Sequence, residues 1–564
     1  MSAVVKKAVE EIREAIINSI GCAVAEGSLP LEPIPAFAIE IPADRSHGDY
    51  ASNVAMVSAK AFHMAPRKIA EIITNNLHTD ETYIEKCEIA GPGFINFFVK
   101  QDFYSDIVAD VLSCGGDYGK SNYGNNKKIL VEFVSANPTG PMHIGNARGG
   151  ALGDCLSAVL KAAGYDVSKE FYVNDAGNQI EKFGLSLEAR YLQIFFGEDK
   201  IPFPEDGYHG EDIKVRAKEF ADINGNKYVE CNENERRKAL IDYALPKNVQ
   251  ALRDDLARYR IEYDNWFFES VLHNDGELKE AIDILSSHNL TYEKDGALWY
   301  KATQFGGEKD EVLIRANGNP TYFAADIAYH RNKFLKRGFD RCINVWGADH
   351  HGHVARLKGA MDAIGLDGSK LDIVLMQLVR LMRNGETVRV SKRTGKAITL
   401  SDLLDEVPID AARFFFNMRE PGSQMDFDLD LAIEQSSQNP VYYVQYAYAR
   451  ICSIVKNLKA QGIQLRECTK DELNLLTAPE EKELIRFISG YTQEIIDSAK
   501  AYNPASITRY SIDLANLFHK FYNACRVNVE DEHLMQARLN LCIAARQVIK
   551  NILDMFNITT PEVM

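Results

Sequence analysis

The stretch from Lys128 to Asp154 constrains the fold more than any other part of this chain. It opens with apolar and β-branched residues over 129–134, a run typical of a buried parallel strand. A turn rich in proline and glycine follows, and apolar residues then recur at helical spacing over 147–160. The pattern predicts a strand, a tight turn and a helix whose first turn carries His143. The start of such a helix suits an anion, because free N–H groups and the positive end of the helix dipole meet there.

The residues of this turn exclude two common nucleotide-binding loops. The turn contains neither GxGxxG nor GxxxxGK[ST], so neither a dinucleotide fingerprint nor a P-loop is predicted. It reads His143-x-Gly145-x instead, with glycine where backbone must approach a nucleotide. This pattern resembles the HIGH signature of class I aminoacyl-tRNA synthetases, which binds ATP. With its flanks, VEFVSANPTGPMHIGNARG, it resembles the arginyl-tRNA synthetases in particular.

The match departs from the family at one position. The fourth residue of the signature is usually histidine, and here it is Asn146. Asparagine can donate and accept hydrogen bonds but carries no charge, so only a hydrogen-bonding role is expected of it. His143 is therefore the histidine predicted to act on ATP, with Asn146 beside it. The resemblance also places Pro138, Gly140 and Gly145 at the nucleotide.

A second element is the basic segment 380–396, which holds six Arg or Lys and one acid, Glu386, in a chain whose net charge is -16. The segment resembles the KMSKS loop of the same enzyme class, with Arg389 at the first lysine position and Lys392 at the second. The resemblance implies that Arg389 and Lys392 are catalytic and that Ser391 and Lys392 contact ATP. Considered alone, the segment is better explained as a solvated basic loop.

The predicted amino-acid substrate is arginine. Its planar guanidinium is best recognised by carboxylates and amide oxygens. The resemblance implies an arginine pocket made of Glu132, Ser135, Asn137, Tyr322, Asp326 and Gln377. Tyr322 and Asp326 are one helical turn apart and can share a face. Spacing alone fits another cationic substrate equally well, and the alternative for Asp326 is an exposed helix carboxylate.

The densest histidine cluster lies at 346–353, where three histidines and one aspartate fall within five residues. Adjacent histidines point in different directions, and the spacing lacks the i, i+4 or CxxC pattern of a closed zinc site. The cluster follows an apolar, strand-like run at 342–346, as a nucleotide-contacting strand end does. It resembles the GADH element of the family, which assigns Gly347, Asp349 and His350 to ATP. No structural metal is predicted.

The end of the chain has helical periodicity from about Leu431 onward. Tyr443, Tyr446 and Arg450 follow one another at three- and four-residue spacing, and aromatic faces beside a guanidinium suit unstacked bases. The common alternative for an aromatic stripe is a packed core. The resemblance assigns tRNA contacts to Asn53, Tyr443, Tyr446, Arg450, Phe518, Tyr522 and Met564.

The length of 564 residues is too great for one hydrophobic core. The resemblance implies an α+β N-terminal domain at 1–118 that meets the tRNA elbow. It also implies an α/β, Rossmann-like catalytic domain with a parallel sheet at 119–430 and a connective insertion at about 185–304. An all-α anticodon-binding domain follows at 431–564. Further predicted nucleic-acid contacts are Asp49 and Tyr50, and a basic stripe of Arg331, Lys333, Lys336 and Arg337.

Ten cysteines without CxxC pairs, and the lack of a signal peptide or long apolar span, predict free thiols, a reducing cytoplasm and no membrane. The predicted reaction is activation of arginine by ATP, accompanied by Mg2+, and transfer to the 3' end of tRNA(Arg). A monomer is expected. Two alternatives remain: another ligase of the same class, and a non-catalytic tRNA-binding relative. Only Asn146 and Arg389 favour the second.

Overall fold

A computed structural model describes residues 2–42, 44–388 and 398–564. The predicted catalytic and ATP-binding residues Arg389, Ser391 and Lys392 lie outside the described residues, so their assignments stay predictions. The rest forms an antiparallel sheet with helices, then a parallel sheet with helices, and finally a helical region.

The N-terminal region packs helices against a four-stranded antiparallel sheet of order β1-β2-β4-β3. Its elements are α1 (Ala3–Ala25), β1 (Ile39–Glu40), β2 (Tyr50–Ser52), α2 (Val54–Ser58), α3 (Pro66–Asn75), β3 (Ile84–Ala90), β4 (Phe94–Val99) and α4 (Gln101–Cys114). The Ser2 hydroxyl caps α1 by accepting the Val5 N–H, and the buried face of α1 recurs every three or four residues.

The central region contains the predicted strand and helix as β5 and α5. Its elements are β5 (Lys128–Glu132), α5 (Ile144–Ala162), β6 (Asp166–Val173), α6 (Asn178–Phe196), α7 (Glu211–Asn224), α8 (Glu233–Arg258), β7 (Asn265–Phe268), α9 (Glu269–Asn274), α10 (Glu277–Ser287), β8 (Thr291–Lys294), β9 (Ala297–Tyr300), β10 (Glu311–Ile314), α11 (Tyr322–Arg331), β11 (Arg341–Gly347), α12 (His351–Ala363), β12 (Leu371–Met376), β13 (Val379–Arg383), β14 (Glu386–Val388), α13 (Leu400–Glu406), α14 (Ile409–Phe416) and β15 (Met425–Asp428).

Five of these strands form one parallel sheet of order β12-β11-β5-β6-β7. The chain moves from β5 outward to β6 and β7, then returns to the other side of β5 as β11 and β12. The direction of winding therefore changes between β5 and β11. In open α/β sheets a ligand crevice lies at such a point, outside the carboxyl ends of the strands.

Small residues let α5 lie directly on this sheet. A Cβ atom built on Gly153 would sit 2.1 Å from Cγ of Phe133, and one on Gly150 would sit 2.8 Å from Cδ1 of Ile261. Both positions are closer than real Cβ contacts, so larger residues would push the helix outward. The run of small residues that follows His143 thus fixes the helix that carries it.

The predicted insertion at about 185–304 is not one continuous unit. Helices α6, α7 and α8 do form an excursion with a core of their own. The chain then returns to the parallel sheet as its edge strand β7, paired with β6. A second excursion follows as the antiparallel sheet β10-β9-β8. The sequence Tyr263-Asp-Asn-Trp266 therefore leads into a sheet strand.

Residues 429–564, all of which the structure describes, contain helices and no strand. The helices are α15 (Leu429–Ile433), α16 (Pro440–Ala460), α17 (Lys470–Leu473), α18 (Pro479–Ser489), α19 (Tyr491–Ala501), α20 (Ala505–Ala524) and α21 (Glu532–Met555). This confirms the prediction of a helical C-terminal region. The α4 helix of the N-terminal region packs against α17, α18 and α21, so the first and last regions are in direct contact.

Candidate active site

The side chains of His143 and Asn146 cap the start of α5. Nδ1 of His143 accepts the Gly145 N–H at 3.1 Å, and Oδ1 of Asn146 accepts the His143 N–H at 3.0 Å. This reciprocal capping arrangement satisfies two of the donors that a helix start leaves free. The N–H of Gly145 is therefore already used, although sequence reasoning reserved such donors for phosphate. Asn146 makes a hydrogen bond, as predicted for an uncharged residue.

His143 is a hydrogen-bond donor in this geometry and not a cation. Because Nδ1 accepts a bond, the ring proton belongs on Nε2. Partial desolvation by the surrounding protein lowers the pKa of His143, even though the side chain is exposed. Nε2–H of His143 is thus the group on offer to a phosphate oxygen. Neither His143 nor Asn146 supplies positive charge.

The other predicted nucleotide residues lie at the end of the neighbouring strand β11 or in the turn before α5. Gly347 ends β11, and Asp349 and His350 follow it, both exposed and with their side chains 3.6 Å apart. Gly140 lies in the turn before α5. Pro138 is buried, and its carbonyl accepts a 3.0 Å bond from Asn248 of α8, so this part of the turn is held in place by α8.

The segment that holds Arg389, Ser391 and Lys392 joins β14 to α13. Where the described chain resumes, Thr399 forms a bridge with His143, and the Leu400 N–H donates to the Met142 carbonyl at 2.9 Å. Thr399, three residues after the end of the basic segment, therefore lies beside the predicted ATP-binding histidine.

The backbone is strained where β5 ends. Val134 and Ser135 have φ values of 69° and 41°. A β-branched residue seldom adopts such a conformation, and it persists only where the surroundings impose it. Here the Ser135 hydroxyl donates to Glu132 at 3.0 Å and accepts the Tyr172 N–H at 3.1 Å. The strain turns the chain out of the sheet, so that Asn137 is exposed at the crevice.

Glu132 is not a free carboxylate for a guanidinium. It is buried, and its Oε2 atom lies 2.5 Å from Nζ of Lys333, which is fully buried. The other oxygen accepts the Ser135 hydroxyl bond. A buried carboxylate paired in this way has little charge left for a substrate. Glu132 fixes Ser135 and the end of β5, and its predicted contact with arginine stays a prediction.

Two other carboxylates have histidine partners but no Lys or Arg partner among the described residues. Asp326 on α11 bonds His353, with Oδ2 and Nε2 2.8 Å apart, and Glu269 at the start of α9 bonds the Tyr172 hydroxyl. Among the described residues, neither has a Lys or Arg within ion-pair distance. Sequence reasoning missed Glu269, because no motif marks it and only the return of β7 to the sheet brings it near Asp326.

The electrostatics of Glu269 show how closely these acids approach. Burial first, and then repulsion by Asp326 and Asp175, raise the pKa of Glu269 to about 7. The negative charges of Glu269, Asp326 and Glu132 also help to raise the pKa of Tyr172. Because Lys333 offsets Glu132 alone, the pocket carries an excess of negative charge that suits a cationic ligand.

Binding of a guanidinium here should release a proton from Glu269. With a pKa near 7, Glu269 is about half protonated at neutral pH, and a cation favours its ionised form. We expect affinity for arginine to rise between pH 6 and 8 and to level off above, measured by calorimetry in buffers of different ionisation enthalpy. His273 lies 3.6 Å from Glu269, so His273→Gln is the control. Affinity and proton release that do not change with pH would contradict this.

Tyr322 lies near these carboxylates, and Gln377 lies at the carboxyl end of β12. Tyr322 begins α11 one turn before Asp326, as predicted, and the charge of Glu269 contributes to its raised pKa, after the larger effect of burial. Gln377 follows β12. The buried Arg148 of α5 holds its carbonyl at 2.7 Å and also donates to the carbonyls of Glu420 and Ser423. Sequence reasoning missed Arg148, which ties the α5 helix to the far side of the crevice.

The predicted basic stripe on α11 and the turn after it does not exist as a free surface. Each of its four cations pairs with an acid, in the pairs Arg331–Glu280, Lys333–Glu132, Lys336–Glu277 and Arg337–Glu170. These contacts join residues up to 201 positions apart, so no local pattern indicates them. These four residues lie in the protein interior or at its edge, so the predicted nucleic-acid contact is wrong.

Comparison with known proteins identifies the family. The family model described as "tRNA synthetases class I (R), catalytic domain" matches residues 107–436, more than half of the chain. The chain belongs to the arginyl-tRNA synthetases. The model "Arginyl tRNA synthetase N terminal domain" matches 6–99, and "DALR anticodon binding domain" matches 444–564.

Individual relatives agree with this assignment. The arginine–tRNA ligases of Acetivibrio thermocellus and Caldanaerobacter subterraneus are 55% and 56% identical over 564 residues, with 100% of each chain covered. The solved arginyl-tRNA synthetase of Thermus thermophilus shares the fold, with a TM-score of 0.73 and 21% identity over 99% of this chain and 100% of that one. The predicted family, fold class and enzyme class are confirmed.

The synthetase presents a polar aromatic cluster on its C-terminal helices. His519 lies between Tyr443 and Tyr446, with ring centroids 5.1 and 5.9 Å away. The Arg450 guanidinium stacks on Tyr522 at 4.6 Å and reaches the Tyr446 hydroxyl at 3.4 Å. Burial and the charge of Arg450 lower the pKa of His519 to about 4, which keeps the ring neutral. His519 is a member of this cluster that sequence reasoning missed.

Three residues that were predicted to contact tRNA are buried or half-buried and contact other parts of the protein. Phe518 is 0% exposed and belongs to the core of α20, so its assignment to the surface is wrong. Asp49 is buried and pairs with Arg486 of α18, and its second oxygen accepts the Val99 N–H at 3.0 Å. It therefore joins the first and last regions of the chain, and its assignment to tRNA is also wrong. Asn53 is half-buried and accepts the Ala38 N–H at 2.9 Å.

Met564 is exposed and lines a cavity of about 300 Å3 between α14 and the start of α16. Its predicted tRNA contact stays a prediction. Among the residues that the structure describes, no group of three or more His, Cys, Asp or Glu side chains is arranged to hold a metal ion. Over the same residues, no helix has both the length and the apolar character needed to cross a membrane. All ten cysteines are free thiols.

Proposed function

We propose that the crevice at the carboxyl ends of β5 and β11 is the active site of this synthetase. The chain is an ATP-dependent ligase that joins arginine to tRNA(Arg) for protein synthesis. The observation that supports the location is a pair of carboxylates near the end of β5, Asp326 and Glu269, which have no Lys or Arg partner among the described residues. A guanidinium provides the paired donors that such carboxylates accept.

In the first step, a carboxylate oxygen of arginine attacks the α-phosphorus of ATP, and the bond to pyrophosphate breaks. Positioning and preorganised donors provide most of the rate in such a transfer. We assign the phosphates to Nε2–H of His143 and to the turn at Gly140. Because His143 and Asn146 are uncharged, positive charge for the departing pyrophosphate has to come from elsewhere. We assign that role to Lys392 and Arg389, with Ser391 at the nucleotide.

We assign the arginine side chain to Asp326, Glu269 and Tyr322, and its amino and carboxylate groups to Asn137, Ser135 and Gln377. The adenosine then lies over Gly347, Asp349 and His350, on the adjacent strand. This arrangement follows the order of strands in the sheet, since β5 separates β11 from β6 and β7. The reacting groups meet above β5, where the strained Val134 turns the chain outward.

Four further features complete the proposal. ATP enters as its Mg2+ complex, because Mg2+ prefers phosphate oxygens and water as ligands. The enzyme works as a monomer in the cytoplasm, a reducing compartment in which ten free cysteines persist. The domain boundaries lie near 118 and 430. Activation of arginine requires bound tRNA.

The test is exchange of pyrophosphate into ATP with a panel of amino acids, with and without tRNA. We expect exchange with arginine alone among the amino acids, and only when tRNA is present. Strong exchange without tRNA would contradict the tRNA requirement. Lack of exchange with every amino acid, together with salt-sensitive tRNA binding, would favour a non-catalytic relative and would implicate Asn146.

The cluster around His519 is assigned to the anticodon. Tyr446 is its most exposed ring among the residues named, and stacking of a base on an aromatic ring contributes about 1–3 kcal/mol. We expect Tyr446→Ala to raise the Kd for tRNA by roughly five- to a hundredfold and to leave the KM for ATP unchanged. Tyr123→Ala is the matched control, because Tyr123 is an exposed tyrosine near the amino end of β5 and away from this cluster. Equal tRNA affinity in both variants would remove Tyr446 from the interface.

A further inference from the structure

The histidine cluster at 346–353 contains one histidine that the assignment to ATP does not use. His353, on α12, directs its ring toward α11, where Nε2 lies 2.8 Å from Oδ2 of Asp326. Its other nitrogen, Nδ1, accepts a 2.8 Å hydrogen bond from Nε of Arg356. Arg356 in turn donates to Glu311 of β10 at 2.7 Å. The four side chains form a continuous chain of hydrogen bonds that ends on the carboxylate.

The order of these groups determines where the protons lie. A guanidinium can only donate, so the bond from Arg356 makes Nδ1 of His353 an acceptor. The ring proton therefore belongs on Nε2, and His353 donates it to Asp326. This is the neutral form of the imidazole. The bond to Arg356 fixes the tautomer, in the way that outer partners fix the tautomer of histidines that bind metals.

A neutral residue between Asp326 and Arg356 has a chemical consequence. If Arg356 met Asp326 directly, the two charges would neutralise each other, and the guanidinium of a substrate would have to displace a fixed guanidinium. Lys333 neutralises Glu132 in just this manner. Here the charge of Arg356 is instead offset by Glu311, and Asp326 keeps its negative charge. The chain of bonds fixes the direction of the carboxylate without cancelling its charge.

Packing holds the imidazole in this direction. Its ring lies 5.4 Å from the Trp346 ring and 5.8 Å, edge to face, from the Phe323 ring. The side chain of His353 is only 14% exposed, compared with 60% for His350 three residues earlier. A ring confined between two aromatic rings has few other rotamers. The bond to Oδ2 of Asp326 leaves Oδ1 and the remaining lone pair of Oδ2 for a ligand.

We propose that His353, Arg356 and Glu311 are positioning residues that orient Asp326 toward the guanidinium of arginine while leaving its charge uncompensated. The proposal rests on the assignment of Asp326 to the arginine side chain made above. It gives the last histidine of the cluster a role on the amino-acid side of the crevice. His350, by contrast, lies on the nucleotide side.

The test is a comparison of His353→Leu with His353→Gln in tRNA charging assays. Leucine removes the donor, whereas the glutamine amide can place an N–H close to the position of Nε2. Loss of a hydrogen bond to a charged group corresponds to about a ten- to hundredfold change. We therefore expect His353→Leu to raise the KM for arginine by about ten- to a hundredfold. The values of kcat and of the KM for ATP should stay within about twofold of the wild type. His353→Gln should recover most of the loss.

Three further variants make the result decisive. Arg356→Gln removes the bond that fixes the tautomer and should raise the KM for arginine severalfold, while Glu311→Gln should have a smaller effect in the same direction. Arg356→Gln also decides the matter if His353→Leu does not fold. His351→Leu, an exposed histidine on the same helix, is the matched control. Each variant is compared with the wild type in thermal unfolding.

The possible outcomes separate this inference from the proposed function. Wild-type charging together with an unchanged KM for arginine in His353→Leu and Arg356→Gln would overturn the positioning role and leave the active site in place. Equal losses in the KM for arginine and for ATP would also overturn it, since they indicate a general structural role. Absence of arginine charging by the wild type would reject the proposed function itself.

Discussion

Asp326→Asn should lower kcat/KM for arginine by about thirty- to several-thousandfold, equivalent to about 2–5 kcal/mol. Asparagine has nearly the same shape and can still accept the bond from His353. It lacks the negative charge, and its amide group points donors at the donors of a guanidinium. The loss therefore falls on an electrostatic contact that no other residue replaces, because Glu269 alone must then compensate the bound cation. Steady-state charging with varied arginine measures the effect.

The specificity of this loss is as informative as its size. We expect the KM for ATP to stay within about twofold, since Asp326 lies on α11 and the nucleotide residues follow β11. Asp295→Asn is the matched control: Asp295 is an exposed aspartate at the β8–β9 hairpin, where its φ of 52° suits asparagine equally well. If Asp326→Asn behaves like this control, Asp326 does not bind the guanidinium.

Much of the architecture could be predicted because local patterns determine it. The strand β5, the turn and the helix α5 follow from one run of residues whose periodicity changes from two to 3.6. Tyr322 and Asp326 share a helix because a four-residue spacing has one local meaning. The order of the two ATP motifs then fits a parallel sheet with its crevice beside β5. These inferences depend on neighbours in the sequence.

Contacts between residues that are far apart in the sequence could not be predicted. Glu132 is paired with Lys333, which lies 201 residues away in the sequence, and no local pattern indicates this pair. Asp49 seemed exposed in a polar turn, and its partner Arg486 lies in another region of the chain. Exposure along α20 is a similar case. Phe518 and its neighbour His519 differ in exposure because of the helices that pack against α20, and no local pattern predicts this difference.

Glu269 and His353 were missed for a related reason. The sequence around Glu269 is unremarkable in composition, and its significance comes from the strand β7, which the polar character of the surrounding insertion concealed. His353 was visible, but the sequence grouped it with its neighbours in a nucleotide element. Only the crossing of α11 and α12 shows that it faces Asp326.

Arg413→Met should destabilise the protein by about 3–5 kcal/mol, the cost of removing one member of a buried ion pair. Arg413, on α14, is fully buried and bonds Asp154 of α5. It also donates to the carbonyl of Tyr259 at 3.0 Å and to that of Phe556, just after α21, at 2.6 Å. One side chain therefore holds together the helix of the active site, the end of α8 and the last helix of the chain.

Methionine fills a similar volume but removes the donors of these bonds, so the loss reflects polar groups more than a cavity. Unfolding in urea, followed by circular dichroism, measures the effect as a lower midpoint. Arg419→Met is the matched control, because Arg419 is an exposed arginine six residues later. A surface change of that kind is expected to stay within about 0.5 kcal/mol.

A double-mutant cycle shows whether Arg413 acts through Asp154. Asp154 has a second cation, with Lys169 2.9 Å from its other oxygen, and Asn557 bonds it at 3.2 Å. Asp154→Leu combined with Arg413→Met removes both charges together, so the double variant should be more stable than the sum of the single losses by roughly 0.5–3 kcal/mol. Strict additivity would mean that Arg413 stabilises the junction through the carbonyls alone. A positive coupling would show that α5 and α14 are linked energetically through this ion pair, and the bond from Arg413 to the Phe556 carbonyl continues that link to the last helix of the chain.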